Sequence, residues 1–183
     1  MRIVLGITGS SGAIYAVDFL KKSTADKFLI VSKWGKVLLK DEVNLTEKEL
    51  QPYIKHQFSN DDLTAPIASG SNHFDAVVIL PCSTSTLGKI ASGIGDSLIT
   101  RAAQVALKER TKLVLCIRET PISTLSLEQA ARLSGYGAII MPISSPLYFV
   151  PQSVDEYVGA FTDKLLSVLG ERISRGWRAE ELE

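Results

Sequence analysis

Leu5-Gly6-Ile7-Thr8-Gly9-Ser10-Ser11-Gly12-Ala13, continued by the apolar stretch Ile14 to Leu20, reads as a strand that breaks into small residues and restarts as a helix. That is how an α/β protein builds an anion site: the first N–H groups of the helix lack intrahelical partners, and the hydroxyls of Thr8, Ser10 and Ser11 stand beside them. The glycine spacing is G-x-x-G-x-x-G. A dinucleotide loop has G-x-G-x-x-G and an acidic residue roughly 20 positions on for the ribose, whereas the next apolar run here ends in Ser32-Lys33. A two-nucleotide cofactor is therefore disfavoured. A Walker loop is absent too, since no Gly-Lys pair precedes Ser or Thr. Taken alone, the loop is either a phosphate site or a tight turn in which glycine supplies positive φ.

The 183 residues, 45% of them apolar, suffice to bury one sizeable core. Twenty basic residues balance twenty acidic ones, so no net field draws the chain to nucleic acid or an anionic membrane, although a local basic pocket stays compatible with that total. Cys82 and Cys116 have neither metal-ligand spacing nor the density of a disulfide scaffold, which points to a reducing compartment. The apolar run after Arg2 is too short for a signal peptide, and nothing later approaches a membrane span. A soluble, cytoplasmic protein is expected.

Short apolar runs alternate with helical patterns. Arg2 to Ile7, Lys27 to Ser32, Ala76 to Leu80, Lys112 to Ile117 and Ala138 to Met141 read as buried strands rich in Val, Ile and Leu. Leu98, Ala102, Val105 and Ala106 make one apolar helical stripe, leaving Arg101, Gln104 and Lys108 on another face. Ser126 with Gln129, and Ser153 with Glu156, have capping-box spacing; the second opens a helix whose core side is Val158, Phe161, Leu165, Val168 and Leu169. Thr46 to Glu49 has the same spacing, but Pro52 cuts any helix there short, and residues 41–71 are otherwise unassigned. The repeated strand–helix alternation predicts an α/β fold: a three-layer, doubly wound parallel sheet forming one domain over residues 1–170. Residues 171–183 form a charged tail whose Ile173, Trp177 and Leu182 are placed to reach a neighbouring subunit.

Ligands of an open parallel sheet sit beyond the carboxyl ends of its strands. The residues found there are Gly9, Ser10 and Ser11, then Ser32, then Pro81-Cys82-Ser83-Thr84-Ser85-Thr86, then Arg118-Glu119, then Pro142 to Tyr148. Each hydroxyl alone is explained by capping the helix that follows. Their concentration on one edge is not.

The stretches Gly6 to Ala13, Pro81 to Leu87, Arg101-Ala102-Ala103 through Leu107-Lys108-Glu109-Arg110, Arg118-Glu119-Thr120-Pro121, and Tyr148 followed by Pro151-Gln152-Ser153-Val154 resemble the UbiX-type flavin prenyltransferases, in order and over nearly the whole chain up to Gly170. The resemblance implies a flavodoxin-like Rossmann fold, a homododecamer, and transfer of a dimethylallyl group from dimethylallyl monophosphate to reduced FMN, giving the prenylated FMN used by partner decarboxylases. It implies that Gly9, Ser10, Ser11, Ser32, Ser83, Thr84, Ser85, Thr86 and Arg118 hold FMN. By the same resemblance Tyr148 and Lys164 hold the donor phosphate, and Glu42, Lys108 and Glu119 are catalytic. No metal is implied.

This assignment is chemically coherent. Breaking an allylic C–O bond leaves charge on the departing phosphate, and many prenyl-transferring enzymes meet it with magnesium on paired acidic motifs. This chain has no aspartate-rich pair. Lys108, Arg118, Tyr148 and Lys164 would serve as fixed donors instead. Glu119 would manage a proton during ring closure, or else simply pair with Arg118 or a lysine. Glu42, among Lys36, Lys40 and Asp41, reads from its neighbours as a solvated helix face, and Lys108 as a cation at a helix end. Trp34 and Trp177 read as packing residues, His56 and His73 as unpartnered, and Cys82 as a small buried hydrophobe. Lys164 stands where many relatives have Arg, Phe149-Val150 where a His-Gln pair is common, and Leu63 where some have Trp. These departures bear on the donor, a monophosphate or a pyrophosphate. Two rivals share the fold: an FMN-dependent decarboxylase of cysteine-derived acids, whose Pro-Ala-Ser-Ala-Asn-Thr and Pro-x-Met-Asn segments are replaced here by Pro81 to Thr86 and by Pro121-Ile122-Ser123-Thr124, and an FMN-binding regulatory subunit without catalysis.

Overall fold

In the computed structural model, which describes residues 1–171 and Arg178, β1 (Arg2–Ile7) lies at the centre of a parallel sheet. It pairs on one side with β2 (Asp26–Val31), Leu5 opposite Leu29, and on the other with β4 (Ala76–Cys82), Leu5 opposite Val78. β3 (His56–Ser59) extends the sheet beyond β2; β5 (Lys112–Ile117) and β6 (Ile139–Ile140) extend it beyond β4. The order 3-2-1-4-5-6 is that of a doubly wound sheet, and its direction of winding reverses between β1 and β4.

Both faces are covered, which is why the strands are apolar throughout rather than alternating. Ile3, Leu5 and Ile7 face α1 (Ala13–Lys22) and α7 (Val154–Leu169), with Leu39 of α2 (Lys33–Val43) closing the same layer. Val4, Val77 and Ile79 face the other layer, made by α4 (Thr84–Ala91), α5 (Leu98–Glu109) and α6 (Thr124–Gly135). Phe19 and Phe161 are fully buried, each worth about 2 kcal/mol in surface removed from water. The expected α5 stripe of Leu98, Ala102, Val105 and Ala106 is buried as read.

Several local expectations are corrected. β3 escaped notice because His-Gln-Phe-Ser is polar: it is an edge strand whose Phe58 ring stacks on Phe28 at 6.5 Å while its ends stay exposed. Ser32 is not a strand residue but the N-cap of α2, accepting from Gly35 N at 3.0 Å. β4 runs on to Cys82, pairing with Ile117 across a shift in register. α6 is capped by Ser123, whose hydroxyl accepts from Ser126 N at 3.2 Å, so Ser126 lies inside the helix and Leu127 points outward, 54% exposed. At Ser153 the cap forms, but the Glu156 carboxylate accepts from Gln152 N, one residue before the expected partner. The box at Thr46 is complete and opens α3 (Glu47–Leu50), which gives way to a 3-10 turn containing Pro52. Among the described residues no helix is long and apolar enough to cross a membrane. Ile173, Trp177 and Leu182, expected to reach a neighbour, lie outside the described residues.

Candidate active site

Three helices begin at one place. Ser32, Ser83 and Ser97 are the N-caps of α2, α4 and α5, and all three line a cavity of about 250 Å³ at the carboxyl ends of β1 and β4. The cavity is completed by Thr8, Gly9, Trp34, Ser85, Thr86, Lys89, Ile99 and Thr100; it has hydroxyls, one lysine and no carboxylate in its wall. Convergent helix N-termini present unpaired N–H groups and a positive potential, so the chemistry suits a phosphate and the polyhydroxyl chain attached to it. Gly9 is required here by close approach: a Cβ on it would lie 2.4 Å from Trp34 Cβ.

The N-terminus of α1, where the sequence places the anion, is already filled. Glu42 Oε2, reaching across from α2, accepts from Gly12 N and Ala13 N, both at 2.8 Å. Thr8 and Ser10 are likewise committed. Buried Thr8 donates to Pro81 O at 2.7 Å and accepts from Ser83 N at 2.9 Å, stitching β1 to β4, while Ser10 donates to Arg118 O at 2.7 Å, stitching the β1 loop to the β5 loop. These bonds hold the β1 loop against β4 and the β5 loop, while the unfilled helix N-termini are those of α2, α4 and α5. Glu42, although exposed, is thus part of the site's frame and not merely one more charge on a helix face.

On the other side of the β1 loop lies a second cavity of about 520 Å³, lined by Ser11, Gly12, Ile14, Tyr15, Glu42, Ile117, Arg118, Glu119, Thr120, Ile122, Pro142, Ile143 and Ser144. Its lining combines the isoleucines Ile14, Ile117, Ile122 and Ile143 with the charged groups Arg118, Glu119 and Glu42. Glu119 forms no ion pair among the described residues. Its oxygens accept from Thr120 N at 3.1 Å and Thr84 Oγ1 at 3.5 Å, so the carboxylate is positioned by neutral donors. Cys82 is fully buried at the end of β4, and burial pushes its thiol up to about 12; it is an inert core residue.

A single chain does not assemble the expected phosphate clamp. Arg118 lines the second cavity, but Lys108 pairs with Glu109 at the far end of α5, about 16 Å along the axis from Ser97, where it borders a different hollow with Gln104, Arg110 and Tyr136. Lys164 is exposed some ten residues into α7, a helix whose last carbonyls receive Lys112 Nζ at the start of β5. Tyr148 is half-exposed against Phe149, further along the loop after β6 than the residues lining the second cavity. Tyr15, Lys89, Ser97 and Thr100 line the cavities without having been singled out by sequence, and Trp34, expected to pack, instead lines the first cavity with 63% of its surface exposed. Ser97 and Thr100 had a readable signal, the reciprocal cap that opens α5. Among the described residues no cluster of three or more His, Cys, Asp or Glu is placed to share a metal ion.

The family model described as Flavoprotein matches residues 1–169. The flavin prenyltransferase UbiX of Thermoplasma acidophilum is 43% identical over 171 residues, 93% of this chain and 95% of that protein. The solved structure of AnUbiX (PadA1) in complex with FMN and dimethylallyl pyrophosphate superposes with a TM-score of 0.91 at 31% identity, covering 97% of this chain and 98% of that one. A dodecameric FMN-dependent UbiX-like decarboxylase from Escherichia coli O157:H7 gives 0.92 at 33%, covering 97% and 99%.

Proposed function

The chain belongs to the flavoprotein family, and from that we propose that it is a flavin prenyltransferase, moving a dimethylallyl group from dimethylallyl monophosphate to N5 and C6 of reduced FMN. The observation that carries the proposal is the pair of cavities on either side of the β1 loop: a carboxylate-free one where three helices start, and one that sets four isoleucines beside Arg118 and Glu119. Ser32, Ser83, Ser85 and Thr86, with the N–H groups they cap, would hold the FMN phosphate. Reduced FMN supplies the electron-rich nitrogen and carbon that capture the allylic group.

The chain's own residues do the rest. Ile14, Ile122 and Ile143 give the five-carbon group apolar contacts. Arg118 faces the oxygen on which charge develops as the C–O bond breaks and both electrons leave with the phosphate. Glu119 accepts the proton released at ring closure. Because Lys108, Tyr148 and Lys164 lie away from this cavity in one chain, the clamp would be completed by other copies in a homododecamer of the kind described for the E. coli relative. The prenylated flavin would pass to a decarboxylase that depends on it, in the cytoplasm.

The description of the E. coli structure as a decarboxylase favours one second reading, FMN-dependent decarboxylation. The two separate cleanly. A prenyltransferase releases inorganic phosphate from dimethylallyl monophosphate only when reduced FMN is present; a decarboxylase releases carbon dioxide from a cysteine-derived acid with oxidised FMN and leaves the phosphate ester intact.

A further inference from the structure

Tyr15 has no role in the account so far, yet three observations fix it in the second cavity. Its ring lies over Gly12, where a Cβ would come within 3.3 Å of Cδ2, and meets Phe161 edge-on at 5.2 Å, so the side chain has little freedom to turn away. It lines the cavity that holds Arg118, Glu119 and Glu42. Ser145 is buried, 6% exposed, and its hydroxyl has no hydrogen-bond partner among the described residues, although it is near enough to the phenol to favour its ionisation. A buried hydroxyl without a full partner is costly unless something bound to the site completes it.

The geometry points to Tyr15 as a ligand of the donor phosphate: its phenolic O–H, backed by Ser145, donates to a phosphate oxygen of the allylic substrate in the cavity shared with Arg118. This rests on the prenyltransferase reading and places a phenol, held by its ring, beside Arg118 in the same cavity. Burial is the main influence on the phenol and raises its pKa above the ordinary value, outweighing Ser145 and the Arg118 charge; the group stays protonated and able to donate across the working range of pH. A phenol held in place by its ring loses little freedom on binding, and a hydrogen bond to a charged acceptor is among the stronger kinds.

The test is anaerobic steady-state transfer with saturating reduced FMN and titrated dimethylallyl monophosphate, comparing wild type, Tyr15→Phe and Ser145→Ala. Tyr15→Phe keeps the ring against Gly12 and Phe161. It should raise the donor KM about tenfold or more while FMN affinity stays within about twofold, the pattern of one lost hydrogen bond to an anion. Ser145→Ala should move KM in the same direction by less, and the double variant should add little to Tyr15→Phe. A Tyr15→Phe enzyme whose donor KM and kcat stay within about twofold of wild type overturns the assignment, as does one that loses FMN affinity as much as donor affinity. Should Tyr15→Phe not fold, Ser145→Ala decides alone: a donor KM raised about threefold or more supports the role, and an unchanged one overturns it. Wild-type protein that makes no prenylated flavin overturns the function itself, a result separate from any of these.

Discussion

Glu42 Oε2 stands 2.8 Å from both Gly12 N and Ala13 N, so a carboxylate from α2 caps the helix that follows β1. An internal anion there satisfies two orphan donors and keeps an external phosphate from settling on the wrong side of the β1 loop. Glu42→Ala should cost about 1 kcal/mol of stability and open that terminus to solution anions. Thermal melts with and without inorganic phosphate check this: the variant should gain more from phosphate than wild type, and an equal gain in both would refute the plug.

Gly9 and Trp34 form a second constraint on the same loop. The severe clash that a Gly9 side chain would make is with Trp34 Cβ at 2.4 Å, the indole Cγ standing further off at 3.3 Å. Gly9→Ala should therefore lose about 1–3 kcal/mol and weaken FMN binding. Adding Trp34→Ala should not restore either, because alanine keeps the Cβ, whereas Trp34→Gly should restore binding in part. Melting curves and FMN titration of the three variants check it, and rescue by Trp34→Ala would show the contact to be misassigned.

These two pairs show where reading the chain succeeds and where it stops. β1, β2, β4 and β5 were legible because a parallel sheet covered on both faces writes near-continuous Val, Ile and Leu runs. β3 was not, since an edge strand such as His56–Ser59 has only one covered side to record. The hydroxyls at the strand ends were legible as a group, but their division of labour was not. Thr8 and Ser10 are consumed by bonds to Pro81 and Arg118, residues 73 and 108 positions away, which spacing along the chain cannot reveal. Lys108 and Lys164 matched a family pattern, yet neither lines the cavity that Arg118 lines in its own chain. Tyr15 lies within the apolar stretch Ile14 to Leu20, where nothing in its spacing sets it apart from its neighbours.

The thiols give a pH-dependent prediction. Burial pushes Cys82 up to about 12 and Cys116 well above the ordinary value, with the nearby Cys82 adding to the latter. Folded protein at pH 8 should therefore leave both thiols unreacted with a disulfide reagent, and denatured protein should react at both. Raised folded-state values stabilise fully below the unfolded thiol pKa of about 8.5, and that contribution is lost as pH rises beyond it, because only the unfolded chain can ionise. Melting temperature should fall above that pH, less steeply in Cys82→Ala/Cys116→Ala. Fast labelling of native protein would contradict the burial.

If neighbouring copies complete the clamp, Lys108→Ala and Glu119→Gln are each inactive for different reasons. Both should still bind FMN within about twofold of wild type, since neither residue lines the cavity of helix N-termini. Mixed oligomers of the two variants should regain activity, because some sites then take Lys108 from one subunit and Glu119 from another. Mixtures as inactive as the separate variants would mean that each site is built from one chain.

The most direct measurement is the mass of the flavin. Wild-type protein is incubated without oxygen with reduced FMN and dimethylallyl monophosphate, and the flavin is released and weighed. The account predicts FMN heavier by one five-carbon unit, formed in step with inorganic phosphate. FMN of unchanged mass, from protein shown by titration to have bound both ligands, would contradict it.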